Sequence, residues 1–134
     1  MLVDDGDTHG SIWLSPQGQT SWFVMDLQKL YSVTSFSIKN TQNAQFKDRW
    51  TTTFRVSVST DNSGSSWQNA AEGTLDKSFE MYVFSSSVET PVKYVKFEIL
   101  GIGTLGGGLG FFQANGYGKG SGSAFFIYPS RFYT

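Results

Sequence analysis

Alternation of apolar and polar residues at a period of two runs through most of this 134-residue chain, and it constrains the fold more than any other feature. SVTSFSIKN (32–40) sets Thr34, Phe36 and Ile38 on one face, and TFRVSVST (53–60) sends Phe54, Val56 and Val58 inward with Arg55, Ser57 and Ser59 outward. KSFEMYVFS (77–85) and VKYVKFEIL (92–100) repeat the pattern, the second burying Val95, Phe97 and Ile99. WFVMDL (22–27) is a nearly continuous apolar run, and FFQANGYG (111–118) reads as a closing strand. No stretch carries the i, i+3, i+4, i+7 stripe of an amphipathic helix. Turn clusters divide the runs: SPQGQT, NTQNAQFKDR, TDNSGSS and GIGTLGGGLG. Short strands separated by polar loops predict an all-β antiparallel sandwich or jelly roll, and the absence of an internal repeat excludes a propeller or solenoid.

Composition narrows the function classes. One domain accounts for a chain of this length, which is long enough to bury a core without staples. With 12 Phe, 15 Gly and a net charge of −1, the chain is rich in strand and turn formers and shows no basic footprint for nucleic acid or an anionic membrane. There are no cysteines, hence no disulfides and no thiolate metal sites. No apolar run approaches the roughly 20 residues that span a bilayer, and MLVDDGDT lacks the basic start and apolar middle of a signal peptide.

Four landmarks follow one another in order. They are an acidic turn before a tryptophan (DDGDTHGSIW, 4–13), an apolar strand ending in Asp-Leu (SWFVMDLQKLYSV, 21–33), an alternating strand entering an Asp/Gly turn (TTTFRVSVSTDNSGSSW, 51–67), and KYVKFEIL followed by a Gly-rich loop and FFQANGYG. Together they resemble the coagulation-factor type C, or discoidin, domains, a family that includes the family-32 carbohydrate-binding modules; the resemblance covers residues 4–118. It implies a jelly roll of about eight strands, whose loops at one end bind glycans, phospholipid headgroups or protein partners. It also implies an extracellular or cell-surface setting.

Members of that family carry a Ser- and aromatic-rich strand ahead of the acidic turn. Here a segment of that kind, AFFIYPSRFYT (124–134), lies at the other end of the chain, behind the Gly/Ser run KGSGS (119–123). The expectation is a single domain over 1–134 in circularly permuted order, with 119–123 as a flexible joint and 124–134 supplying the strand normally found first; the alternative is an ordinary C-terminal extension pairing with a sheet edge.

Two site readings follow from the residues and the resemblance. Asp5, Asp7 and Ser11 cluster oxygen donors in one turn, as a hard cation requires. The resemblance implies a structural Ca²⁺ there, closed from the last strand by the Phe112 carbonyl and by Gln113, where sugar-binding relatives carry Glu. The alternative for Asp5 and Asp7 is a pair of Asx turns. The loop NTQNAQFKDRW offers planar amides in Asn40, Gln42 and Asn43, a charged pair in Asp48 and Arg49, and the aromatics Phe46 and Trp50, a set suited to holding sugar hydroxyls. The His, Arg, Asn and aromatic set of galactose-binding relatives is not preserved: the corresponding positions hold Leu14 or Ser15, Gln42 or Asn43, Asp48, and Leu105 or Leu109. Trp13, Trp22 and Trp67 are expected in the core, and GTLGGGLG (103–110) is expected as a flexible rim loop, since it lacks the G-K-[ST] ending of a phosphate loop. STDNSGSSW (59–67) reads as a hairpin turn plugged by Trp67. The lone His9 has no evident catalytic partner.

The function expected is therefore non-catalytic carbohydrate recognition by the loop end. The alternatives are a protein-interaction scaffold of the same fold, and phospholipid binding through Leu105, Leu109 and Phe111, which the near-zero net charge argues against. The ligand is a glycan or a protein, nucleic acid and membrane are not expected as partners, and exposed strand ends leave room for a homo-oligomer.

Overall fold

The computed structural model describes residues 13–42, 46–61 and 66–118, together with the backbone of 124–127 and 132–133. It is built of antiparallel strands: β1 (Trp13–Leu14), β2 (Trp22–Lys39), β3 (Thr51–Ser59), β4 (Gln68–Thr74), β5 (Met81–Ser85), β6 (Val92–Ile102), β7 (Gly108–Leu109), β8 (Phe111–Gly118), β9 (Ala124–Ile127) and β10 (Phe132–Tyr133). Among the described residues no α-helix occurs.

β2 organises the sandwich. Its first part, Trp22–Asp26, pairs with β6, and its second part, Tyr31–Lys39, pairs with β8, the register breaking between Asp26 and Tyr31. At that break Gln28 takes a positive φ of 69°, and its N–H donates to Asp26 Oδ1 at 2.7 Å. This is an Asx turn, and it explains why Asp-Leu closes the apolar run. The first part of β2 continues a layer ordered β4-β3-β6, with β10 also paired to it; the second part forms a layer with β5, β8 and β9.

Phenylalanines join the layers. Phe23, Phe97 and Phe54 stack along one layer, at 5.5 Å between Phe23 and Phe97 and 5.6 Å between Phe54 and Phe97. Phe36 stacks on Phe112 in the other, and Phe112 meets Phe23 and Phe97 edge-on across the gap. Phe84 of β5 meets Phe54 in the same way at 4.8 Å. Offset and edge-to-face geometries of this kind add to the burial of large rings.

The period-two reading holds for Phe36, Ile38, Phe54, Val56, Val58, Val95, Phe97 and Ile99, all buried. It fails at Thr34, which is exposed: a bulge between Val33 and Ser35 shifts the phase, and Val33 takes the inward place. Ser57 and Ser59 have outward parity but are buried, and Ser59 Oγ shares a hydrogen bond with Ser66 Oγ. Ser66 Oγ also donates to Asp61 Oδ2 at 2.8 Å, while 62–65 lie outside the described residues. The run 77–85 is strand only from Met81, and QNAAEGT, with no alternation of large apolar residues, forms β4 by pairing with β3. Trp22 is not in the core: it is 42% exposed.

The segment beyond the Gly/Ser run enters the sandwich at two places. β9 pairs with β8 through Ala114↔Ile127 to Tyr117↔Ala124, and β10 pairs with β2 through Phe132↔Met25 and Tyr133↔Val24. The joint, 119–123, lies outside the described residues.

Candidate functional site

Three loops meet at one end of the sandwich: 15–19, 46–50 and 103–107. Backbone bonds tie them together. Trp50 N donates to Gly106 O, Gly103 N to Trp50 O, Leu105 N to Asp48 O, Gly18 N to Leu105 O and Ser15 N to Gly107 O, all between 2.7 and 3.0 Å. Two hydroxyls clamp consecutive glycines from either side. Ser15 Oγ accepts from Gly107 N at 2.9 Å and Thr51 Oγ1 accepts from Gly108 N at 3.1 Å, and each donates back to the same residue's carbonyl.

The glycine-rich loop is thus not the open rim expected of it. Gly106 to Gly110 are buried, with only Thr104 and Leu105 exposed at the tip. A Cβ at Gly108 would come within 2.2 Å of the Trp13 carbonyl, and one at Gly110 within 2.8 Å of the Asn40 carbonyl. The glycines serve close packing of backbone on backbone.

The predicted ligand residues divide into two groups. Asn40 is a scaffold residue, only 1% exposed. Its Nδ2 donates to the Thr51 and Asp76 carbonyls at 2.8 and 2.9 Å, and its Oδ1 accepts from Thr41 N and Thr51 N, which fills the hydrogen-bonding capacity of the amide. Trp50 is half-buried with its ring engaged: Gly103 packs against the indole, and Lys77 Nζ sits over it at 4.0 Å while donating to the Lys47 carbonyl. Asn40 presents no free surface to a sugar, and Trp50 only the part of its ring that these contacts leave open. Gln42, Asp48 and Arg49 are half-buried on the same loop and keep part of their surface open. Asn43 lies outside the described residues. Phe46, which the sequence reading noted only as an aromatic of the loop, is 57% exposed and is the largest apolar surface there, joined by Leu105.

Arg49 stands apart electrostatically. Its Cδ lies over Gly106, and its Nε is the one buried side-chain polar atom among the described residues without a hydrogen-bond partner. The ion pairs found among those residues, Arg55–Glu72 and Lys96–Glu98, do not involve it. On the neighbouring strand the Tyr82 hydroxyl donates towards Asp76 and Glu80. A Ser78 hydrogen bond pulls its pKa down, but lost solvation and the two carboxylates outweigh that and leave it raised.

The structure places the residues set against galactose-binding positions as follows. Ser15 is buried with its hydroxyl engaged, Leu109 is in the core, and Trp13 packs edge-on against Phe23 and Phe97.

Of the five metal ligands expected, Asp5, Asp7 and Ser11 lie outside the described residues, as does His9. Phe112 has its ring in the core, and Gln113 is half-buried with Nε2 donating to Asn115 Oδ1 at 2.6 Å. That bond leaves Oε1 as the atom Gln113 has to offer, which fits an oxygen-seeking cation.

Comparison with known proteins agrees with this architecture. The sequence profile of the F5/8 type C domain matches residues 2–110. The chain belongs to the F5/8 type C domain family. No curated protein matches it at the level of sequence. Among solved structures, this F5/8 type C domain is similar to chitosan-binding module 1 of a chitosanase/glucanase from Paenibacillus sp. IK-5, with 20% identity and a TM-score of 0.65 over 84% of this chain and 80% of that one. It is similar to the C-terminal domain of a chitobiase from Bacteroides fragilis, with 14% identity and a TM-score of 0.67 over 87% and 78%. A third is a family-32 module from Clostridium perfringens in complex with GalNAc-β-1,3-galactose, with 18% identity and a TM-score of 0.63 over 83% and 78%. At these identities the likeness establishes the fold.

Proposed function

We propose that this F5/8 type C domain is a non-catalytic module that binds carbohydrate through the end of the sandwich where loops 15–19, 46–50 and 103–107 meet. The observation that carries the reading is the convergence itself: a hydrogen-bonded floor of buried glycines from which exposed Phe46 and Leu105 and half-buried Gln42, Asp48 and Arg49 project. An apolar surface beside a few polar groups is the composition of a small-ligand site. Solved structures of this fold include modules described as chitosan-binding or as complexes with GalNAc-β-1,3-galactose and with galactose, which supports a glycan as the ligand class. Asn43 belongs to the same loop and to the proposed set, while Asn40 and Trp50 hold the loop in place. Function outside the cell follows from that ligand class.

The second part of the proposal is a structural Ca²⁺ held by Asp5, Asp7 and Ser11 with the Phe112 carbonyl and Gln113 Oε1. Bound there, the ion would tie the start of the chain to β8 and supply no chemistry to a ligand.

The test is a broad glycan array probed with the purified protein in millimolar Ca²⁺ and again in EDTA. Saturable binding to one sugar class is expected, reduced by Phe46→Ala. A protein that binds no glycan in either condition overturns the reading.

A further inference from the structure

One layer of the sandwich ends in a strand whose edge carries no guard. β5 pairs with β2 through Ser35↔Ser85 to Lys39↔Met81, and β8 takes the other side of that stretch of β2. Among the described residues no strand pairs with the far side of β5. An unpaired edge is a template for another strand, and proteins usually guard it with charge, proline or a bulge. β4, which ends the opposite layer, is guarded in this way: Gln68, Asn69 and Glu72 are exposed on it, and Glu72 pairs with Arg55. β5 reads MYVFS, with no charge and no proline.

Its side chains sort by face. Tyr82 and Phe84 pack against the core. Met81 and Val83 alternate with them on the outer face, and Phe79 falls at the same parity just ahead of the strand. The three are 51% (Phe79), 39% (Met81) and 64% (Val83) exposed. Single exposed apolar residues are ordinary, but a contiguous row of them marks an interaction surface.

The row selects its occupant because it complements itself. Two antiparallel copies of the segment, related by a two-fold axis through Met81, set Met81 opposite Met81 and Phe79 opposite Val83. Every outward position is then apolar against apolar, and Glu80 meets Tyr82. Moving the axis one residue earlier sets Glu80 against a second Glu80, and one residue later sets it against Phe84. The other nearby charges stay apart as well: Lys39 lies opposite Met81 within its own copy, and Lys77 falls level with Ser85. A two-fold contact made by the same patch on both copies is the commonest form of dimer, and adding a strand to a free edge gains main-chain hydrogen bonds besides the apolar contact. We propose that this F5/8 type C domain forms a two-fold dimer by pairing β5 with β5 of a second copy, Met81 lying on the axis.

Sedimentation over a dilution series up to millimolar protein tests this, with twice the monomer mass expected at the upper end and the monomer on dilution. Met81→Glu and Met81→Lys each set like charges opposite one another and should each be monomeric, with the circular dichroism of the parent. An equimolar mixture of the two should recover the dimer. The chain has no cysteine, so Met81→Cys introduces a lone thiol through which oxidation should link two copies. Val83→Cys should not link, because this register sets the two residues about 14 Å apart, beyond the span of a disulfide. A protein that stays monomeric at millimolar concentration overturns the proposal. So does a dimer that Met81→Glu leaves intact, a mixture of the charged variants that stays monomeric, or a Val83→Cys variant that links as readily as Met81→Cys. The glycan reading stands or falls separately from all of these.

Discussion

Gly103 lies so close to the indole of Trp50 that a methyl group there would come within 2.3 Å of the ring. The contact is held by a backbone bond from Gly103 N to the Trp50 carbonyl, and Lys77 Nζ covers the same ring at 4.0 Å. A tryptophan so placed fixes the junction between the 46–50 loop and β3. Gly103→Ala cannot be accommodated without moving the ring, and overpacking of this kind costs about 1–3 kcal/mol. The expected outcome is a lowered denaturation midpoint, a changed tryptophan emission spectrum and weakened glycan binding. An alanine variant with wild-type stability and affinity would show that the loop does not depend on this contact.

Asn40 offers a sharper separation of scaffold from site. Its side chain meets four backbone groups, two donors and two acceptors, in a place closed to water. Removing it leaves those groups unsatisfied, at about 1–3 kcal/mol for each that cannot find another partner. Asn40→Ala should therefore destabilise the fold by about 3 kcal/mol or more in urea denaturation, whereas Gln42→Ala, at a half-buried position of the same loop, should cost less. If Gln42 is a ligand residue, that variant loses affinity instead.

How far the sequence shows these roles depends on what each residue's surroundings add. Phe54, Val56, Val95 and Phe97 were legible because a strand's two faces see different solvents and the pattern records it. Thr34 was not, since a single bulge reverses parity with no mark in the local pattern. β4 was not either: QNAAEGT becomes strand because β3 offers it an edge, a tertiary effect that propensity does not carry. At the site, residue type picked out a loop but could not tell buried Asn40 from half-buried Gln42. The glycines of 106–110 read as looseness, yet here they permit contacts that any side chain would block.

Calcium makes a prediction on stability that needs no ligand. A cation bound by Asp5, Asp7, Ser11, the Phe112 carbonyl and Gln113 binds the folded state alone. At a hundred times its dissociation constant it stabilises by about 2.7 kcal/mol. Thermal unfolding in saturating Ca²⁺ against EDTA should show an upward shift of several degrees, abolished by Asp5→Asn with Asp7→Asn. Gln113→Glu supplies a further negative charge and should lower the Ca²⁺ concentration needed. An unchanged midpoint in all three proteins would dismiss the metal and leave Asp5 and Asp7 as turn formers.

Chain order provides the last prediction. β9 pairs with β8 and β10 with β2. We propose that 124–134 is the strand that comes first in the unpermuted order. A rearranged chain running 124–134 and then 2–118, without the 119–123 joint, should then fold to the same sandwich, with an unfolding free energy within about 1 kcal/mol of the present one. The expectation rests on loop closure, whose entropy changes by only about 0.6 kcal/mol for each doubling of loop length. Deleting 119–134 altogether should be far more costly, because it strips β9 from β8 and β10 from β2 and leaves two unpaired strand edges prone to association. Circular dichroism and urea titration of the three proteins separate the cases. A rearranged chain that unfolds as readily as the deletion would show that the segment is held by its present connection, and that its place at the end of the chain is part of the fold.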